Sequence, residues 1–189
     1  MDAADLNDAI IDDINARPLR LHLGCGDVHL PNEEGWINID ARYQPAVDRV
    51  DNIGILKRYE PNSVDEIYCC HALDHFSRWD YPRVLRRWHE LLKPGGVLKL
   101  SVVDFGVIAS MYCDRKAIVE ELIGAICAAQ DYEHNVRHMH WDISSLIGDL
   151  GRAGFSRIHR KSSPFHESDC SAAEINGVPI SLNVEAVKP

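Results

Sequence analysis

The chain alternates short apolar runs with polar breaks, and the spacing of the apolar positions assigns most elements. "LRLHLG" from Leu19 is a strand that stops at Gly24-Cys25-Gly26. "WINID" is a second strand, "AVDRVD" a weaker third and "SVDEIYCC" a fourth, rich in β-branched and aromatic residues. In "RWDYPRVLRRWHELLKPGG", Val84, Leu85, Trp88, Leu91 and Leu92 recur at helical spacing. Asp80 is the expected cap and Pro82 fits the first turn; Pro94-Gly95-Gly96 is the expected stop. "VLKLSVVD" is a fifth strand, and about Val107 to Ala129 reads as one long helical region. "SSLIGDLGRAGF" predicts a helix with Ser144 as cap and Gly154 at its end. "SRIHRKS" and "PISLNVEAV" close the chain as two strands. Ahead of all this, Ile10, Ile11 and Ile14 give residues 1–17 one apolar face, a helix or arm ended by Pro18.

Strands alternating with helices, followed by a final strand pair, predict an α/β fold. The expected form is Rossmann-like and doubly wound, a mostly parallel seven-stranded sheet with an antiparallel edge strand. With 189 residues and no linker, repeat or low-complexity tract, one domain spanning 1–189 is expected.

Composition narrows the partners. Net charge is -9 with no basic cluster, which disfavours nucleic acid. No apolar run reaches the ~18 residues of a membrane span, and the acidic "MDAADLNDAIIDD" is not a signal peptide. A cytoplasmic protein with no membrane partner is expected. The six cysteines include no CxxC pair, so reduced thiols are expected rather than disulfides or a zinc knuckle.

In a doubly wound sheet, ligands sit outside the carboxyl ends of the strands, beside strand one. Gly24 and Gly26 lie at that end, where glycine lets the backbone turn and approach a ligand. Asp40 ends strand two next door, and a carboxylate there accepts both hydroxyls of a ribose. The stretch is not G-x-G-x-x-G, and the short interval from Gly26 to Trp36 leaves no room for a helix and its turns. Both facts argue against a dinucleotide and against a nucleotide-dependent oxidoreductase.

"LHLGCG", "GWINID", "VDNIGIL", "NSVDEIYCCHALDHF" and "WHELLKPGGVLKLSVVDF" stand in an order that resembles class I S-adenosylmethionine-dependent methyltransferases. The resemblance covers about residues 19–105, the expected cofactor-binding core. The "LGCG…GWINID" spacing resembles a compact branch often linked to polysaccharide and sugar biosynthesis. Residues 106–189 would supply further helices and the closing strand pair. The resemblance implies S-adenosylmethionine as cofactor. Gly24, Cys25 and Gly26 would lie under its methionine and ribose part, and Asp40 would bind the ribose hydroxyls. Asp51, with the Asn52 and Ile53 backbone, would sit near the adenine amino group, and His71 would border the sulfonium. The alternative is a non-catalytic S-adenosylmethionine-binding or scaffold protein.

His71, Asp74 and His75 stand at i, i+3 and i+4 just after strand four, and "HNVRHMHWD" adds His134, His138 and His140. Three readings stay open. His75 or His138 acts as general base for a substrate hydroxyl, oriented by a carboxylate such as Asp74. Or the cluster binds a divalent metal, although H-x-x-D-H departs from the E-x-x-E-H of some small-RNA methyltransferases. Or the histidines cap helices and fill polar surface. The expected activity is O-methylation of a small-molecule or saccharide acceptor. The cover over it is expected from the N-terminal arm and the 134–142 and 162–178 loops.

Overall fold

A computed structural model describes residues 17–189; the expected helix or arm at Ile10, Ile11 and Ile14 lies outside the described residues. The strands are β1 (Arg20–Leu23), β2 (Trp36–Asp40), β3 (Arg49–Val50), β4 (Val64–Cys70), β5 (Leu92–Val103), β6 (Ser156–Arg160), β7 (Glu174–Ile175), β8 (Val178–Pro179) and β9 (Ser181–Val187). The helices are α1 (Tyr81–Leu91), α2 (Phe105–Cys113), α3 (Val119–Cys127) and α4 (Ile143–Ala153). Seven strands form one sheet in the order β3-β2-β1-β4-β5-β9-β6. The antiparallel strand is β9, one in from the β6 edge, paired with both β5 and β6. β7 and β8 make a small separate hairpin.

The sheet has two unlike faces. Leu21, Ile39, Ile67, Leu98, Leu100 and Val184 point to one side and bury against Val84, Leu85, Trp88 and Leu91 of α1 and Leu146 and Leu150 of α4. In register with them, His22, Asn38, Tyr68, Lys99 and Glu185 point to the other side. There Glu66 is paired with Lys99 (2.5 Å) and Arg20 (3.5 Å), and the Tyr68 ring packs between His22, Trp36 and Phe165. The connection from β1 to β2 is a loop with one 3-10 turn, Asn32–Glu34, so this crossover supplies no α-helix to the second face. The period-two alternation in Leu19-Arg20-Leu21-His22-Leu23 encodes the asymmetry. The helices α2 and α3 form a smaller core with Val103 and Ile180.

Four local expectations need correction. The long helix expected over 107–129 is two helices. Arg115 takes φ 59°, and the N–H groups of Lys116 and Ala117 turn back to the Met111 carbonyl. Glu121 then accepts from the Ile118 N–H at 2.9 Å and starts α3. Asp80 occupies the N-cap of α1, but its side chain bonds no helix N–H; it accepts from the Ser77 hydroxyl instead. The cap of α4 is Asp142, not Ser144. Its carboxylate accepts from the Ser145 N–H, and the Ser145 hydroxyl accepts from the Asp142 N–H. Last, α1 ends at Leu91, before Pro94-Gly95-Gly96, because Leu92 already has extended backbone and begins β5.

Candidate active site

β1 ends at Leu23, and Gly24, the next residue, has a φ of +69° that favours glycine. A Cβ built there meets the Ala72 Cβ at 2.4 Å, so strand one and the turn after β4 touch through this position. Gly26 also has positive φ, +55°, but a Cβ there meets nothing within 4 Å and would project into open space. The N–H groups of Gly24 and Cys25 donate to the Ile39 carbonyl. Asp40 completes the turn: Oδ2 accepts from the Gly26 N–H and Oδ1 from the Arg42 N–H, both at 2.9 Å. Each carboxylate oxygen keeps a further acceptor site.

Two cavities meet here. One, of about 300 Å³, is lined by Gly24, Asp40, Asn52, Ile53, Ala72 and His75, among others. The second, of about 560 Å³, takes in Gly24, Cys25, Gly26, Cys70, His71 and Asp169. Gly24, Arg42, His75 and Tyr132 border both. At their junction the Arg42 guanidinium lies over the Tyr132 ring, 3.5 Å from its centre. The loop between α3 and α4 supplies Tyr132, His134 and His138 to the first cavity and Asp131 and Arg137 to the second. That cover begins three residues before the expected 134–142 loop. From the 162–178 loop, Asp169 and Cys170 line the second cavity.

The residues expected to hold the cofactor separate by place. Asn52 and Ile53 line the first cavity, and the Trp88 indole N–H fixes the Ile53 carbonyl at 2.8 Å. Asp51 is not among its lining residues; its Oδ1 accepts from the Asn52 N–H at 2.7 Å. The Cys25 thiol is buried, and burial pushes its pKa up to about 12, so it remains protonated. All six cysteines are free.

The histidines also divide. His71 sits at φ 47° with both ring nitrogens engaged. Arg137 Nη2 donates to Nδ1 at 3.3 Å, and Nε2 donates to the Ser181 hydroxyl at 2.9 Å, which in turn donates to the Cys170 carbonyl at 2.6 Å. Burial lowers the His71 pKa to about 4, so it stays neutral. His75 differs: Nδ1 bonds the Val136 carbonyl at 3.1 Å and must therefore carry the proton. Nε2 is then the acceptor nitrogen of the neutral ring, 4.0 Å from Asp74 Oδ1. Asp74 is 1% exposed, and its Oδ1 has no hydrogen-bond partner. Its Oδ2 is taken by Arg137 Nε at 2.5 Å, and its backbone carbonyl accepts from the His138 and Met139 N–H groups. His138 and His134 line the first cavity, whereas the His140 ring packs on Phe105 at 5.7 Å. Among the described residues, no three His, Cys, Asp or Glu side chains gather as a metal site.

Arg137 and Asp169 were not expected. Their partners Asp74 and Tyr68 lie 63 and 101 residues away, and no local pattern signals such pairs.

Residues 40–100 match the family described as a methyltransferase domain. No curated protein matches by sequence. An S-adenosylmethionine-dependent methyltransferase from Archaeoglobus fulgidus is 16% identical, over 98% of this chain and 92% of that one, with TM-score 0.59. One from Mesorhizobium loti is 18% identical over 90% of each chain, with TM-score 0.58. The 1,6-didemethyltoxoflavin-N1-methyltransferase of Burkholderia thailandensis, solved with bound 1,6-didemethyltoxoflavin and S-adenosylhomocysteine, is 16% identical, over 95% of this chain and 75% of that one, with TM-score 0.59. The chain has the class I methyltransferase fold. Domain match and fold together support an enzyme whose cofactor is S-adenosylmethionine. The residues fit that group: the side chain missing at Gly26 leaves open space for it, and Asp40 keeps one acceptor site on each oxygen for a ribose. Among the described residues, no helix is long and apolar enough to cross a membrane.

Proposed function

We propose that this methyltransferase methylates an oxygen of a small, saccharide-like acceptor, with His75 as general base. When bound, S-adenosylmethionine supplies a methyl group on a sulfonium, already reactive enough that the site chiefly aligns and deprotonates. Gly24, Cys25 and Gly26 would hold the methionine and ribose part, Asp40 the ribose hydroxyls, and Asn52 and Ile53, with Asp51 behind them, the adenine. The acceptor hydroxyl would give its proton to His75 Nε2 as its oxygen takes the methyl.

One observation carries the assignment of the base. The Val136 carbonyl fixes the His75 tautomer, which leaves Nε2 to accept a proton beside the unpartnered oxygen of Asp74. An imidazolium formed there gains a charge partner, so Asp74 favours the product of proton transfer. His138, which borders the same cavity, is the second candidate. Cavities of about 300 and 560 Å³ under short loops suit a small acceptor or an exposed sugar on a larger carrier. This agrees with the compact branch linked to polysaccharide biosynthesis. The reading keeps the enzyme in the cytoplasm, which suits six free cysteines.

The test is a methyl-acceptor screen led by sugar nucleotides and glycosides, followed by turnover of His75→Ala and His138→Ala. His75→Ala should lose about 10²–10⁴ in turnover and still bind S-adenosylhomocysteine. If a chelator abolishes turnover and added divalent ion restores it, metal replaces the base. If both variants keep full activity, alignment alone suffices and the base assignment fails.

A further inference from the structure

The second cavity is closed by an acid from a part of the chain far from the glycine turn. Asp169 lines it together with His22, Gly24, Gly26 and Cys70. Its Oδ2 accepts from the hydroxyl of the fully buried Tyr68 at 2.5 Å, and its Oδ1 accepts from the Ser171 N–H at 2.8 Å. The Cys70 thiol lies 3.9 Å from the same Oδ1. Held on both oxygens, this carboxylate has a fixed orientation and still has acceptor capacity.

The side chain that β1 gives to this cavity, His22, offers no negative charge. His22 is 2% exposed, its Nδ1 lies 3.0 Å from Asn38 Oδ1, and its ring stacks on Tyr68. Burial lowers its pKa to about 4, so it is neutral near pH 7.

The methionine end of S-adenosylmethionine carries an α-ammonium as well as a carboxylate. An ammonium entering a partly enclosed cavity must have its hydration replaced by acceptors, and an ionised carboxylate is the strongest of these. Three carboxylates line this cavity: Asp27, Asp131 and Asp169. Asp27 and Asp131 are exposed, and Asp131 accepts from Asn135 Nδ2 at 2.6 Å. Asp169 alone of the three is tied to the sheet, through Tyr68.

We propose that Asp169 is a cofactor-binding residue that receives the α-ammonium of the methionine moiety. This rests on the cofactor reading above. The competing role is purely structural, since Asp169 also caps the 3-10 turn Cys170–Ala172. The two roles differ in ligand selectivity. A structural cap affects every ligand alike, whereas an ammonium acceptor affects only ligands that carry the ammonium.

Calorimetry with three ligands separates them: S-adenosylhomocysteine, its analogue lacking only the amino group, and 5′-methylthioadenosine, which lacks the whole amino-acid end. Asp169→Asn should weaken S-adenosylhomocysteine by roughly 10–100-fold, the range of a hydrogen bond to a charged group. Its 5′-methylthioadenosine affinity should stay within about twofold of the wild type, where a lost hydrogen bond would show as more. The variant should no longer distinguish S-adenosylhomocysteine from the deaminated analogue, as the wild type does. Asp169→Ser, which keeps a cap acceptor without the charge, should repeat the pattern if the asparagine variant folds poorly. An equal loss on all three ligands overturns the proposal, as does no loss at all. So does transfer of the selectivity to Asp27→Asn or Asp131→Asn. A wild-type protein that binds none of the three ligands overturns the cofactor reading and this proposal with it.

Discussion

Arg137 Nε donates to Asp74 Oδ2 at 2.5 Å, joining the loop above the cleft to the turn that follows β4. The same guanidinium donates to His71 Nδ1 at 3.3 Å and to the Gly124 and Ala125 carbonyls, at 2.7 and 3.3 Å. One planar cation thus orients an acid and a histidine and ties the end of α3 to both. A lysine, with one point of charge on a flexible stem, does not reproduce that fork.

Removing the cation should therefore destabilise the fold, not only the site. The two side chains are 10% and 2% exposed, so Arg137→Leu leaves a buried carboxylate uncompensated. The expected loss is about 3–5 kcal/mol. Urea unfolding at pH 7.5 checks it. The double variant Arg137→Leu/Asp74→Leu should recover part of the loss. If the single and double variants are equally destabilised, the damage lies in the severed loop carbonyls and not in the stranded acid.

Asp40 stands at the other end of the cleft, where its two oxygens already hold the Gly26 and Arg42 N–H groups. Asp40→Ala removes the remaining acceptor sites and loosens the turn as well. S-adenosylhomocysteine should bind about 1–3 kcal/mol more weakly. Unchanged affinity by calorimetry would refute the ribose assignment.

Gly24 and Gly26 share a backbone conformation but not a neighbourhood, so their alanine variants should diverge. Both pay roughly 1–2 kcal/mol for left-handed backbone. Only Gly24→Ala also drives a methyl to 2.4 Å from the Ala72 Cβ. It should be the less stable of the two in thermal unfolding. Gly26→Ala, whose new methyl enters open space, should fold nearly as well as the wild type and bind the cofactor product less tightly. A reversed stability order would mean that Ala72 yields more easily than the sheet packing around it suggests.

What could be read from the sequence was local. The strand ending at Gly24 and the acid at Asp40 announce themselves because a strand, a glycine turn and a second strand are each short-range patterns. His75 was legible as a residue straight after β4, but not as the one histidine of "HALDH" that borders both cavities with Nδ1 bonded and Nε2 free of a hydrogen bond. That depends on Val136, 61 residues away. The break between α2 and α3 was hidden because Asp114-Arg115-Lys116 carries no Gly or Pro, and Ala117 and Ile118 resume the apolar spacing straight after it. Arg137 and Asp169 stayed invisible for the same reason as Val136: their importance lies in partners that only the folded sheet brings close.

Two histidines with lowered pKa make the fold sensitive to acid, and His22 gives the cleaner test. Its ring is 2% exposed, and burial holds its pKa at about 4, against an ordinary value of 6.5. The folded chain therefore binds fewer protons here than the unfolded chain does between those values. Stability must rise with pH across that window. His22 imposes no penalty well above pH 6.5; the penalty grows as pH falls towards 4 and levels off below it. Between pH 7.5 and pH 5 the expected loss from this one group is about 2 kcal/mol. His71, whose pKa burial also lowers to about 4, adds a loss of the same sign. His22→Gln removes the first contribution and leaves the second. Urea midpoints at the two pH values, taken for wild type and variant, isolate it, because the substitution's own effect on packing cancels in the difference. The variant should lose about 2 kcal/mol less than the wild type on going to pH 5. If both lose the same amount, His22 is already protonated in the folded state at pH 5. Its stacking on Tyr68 and its bond to Asn38 would then have to accommodate a buried cation.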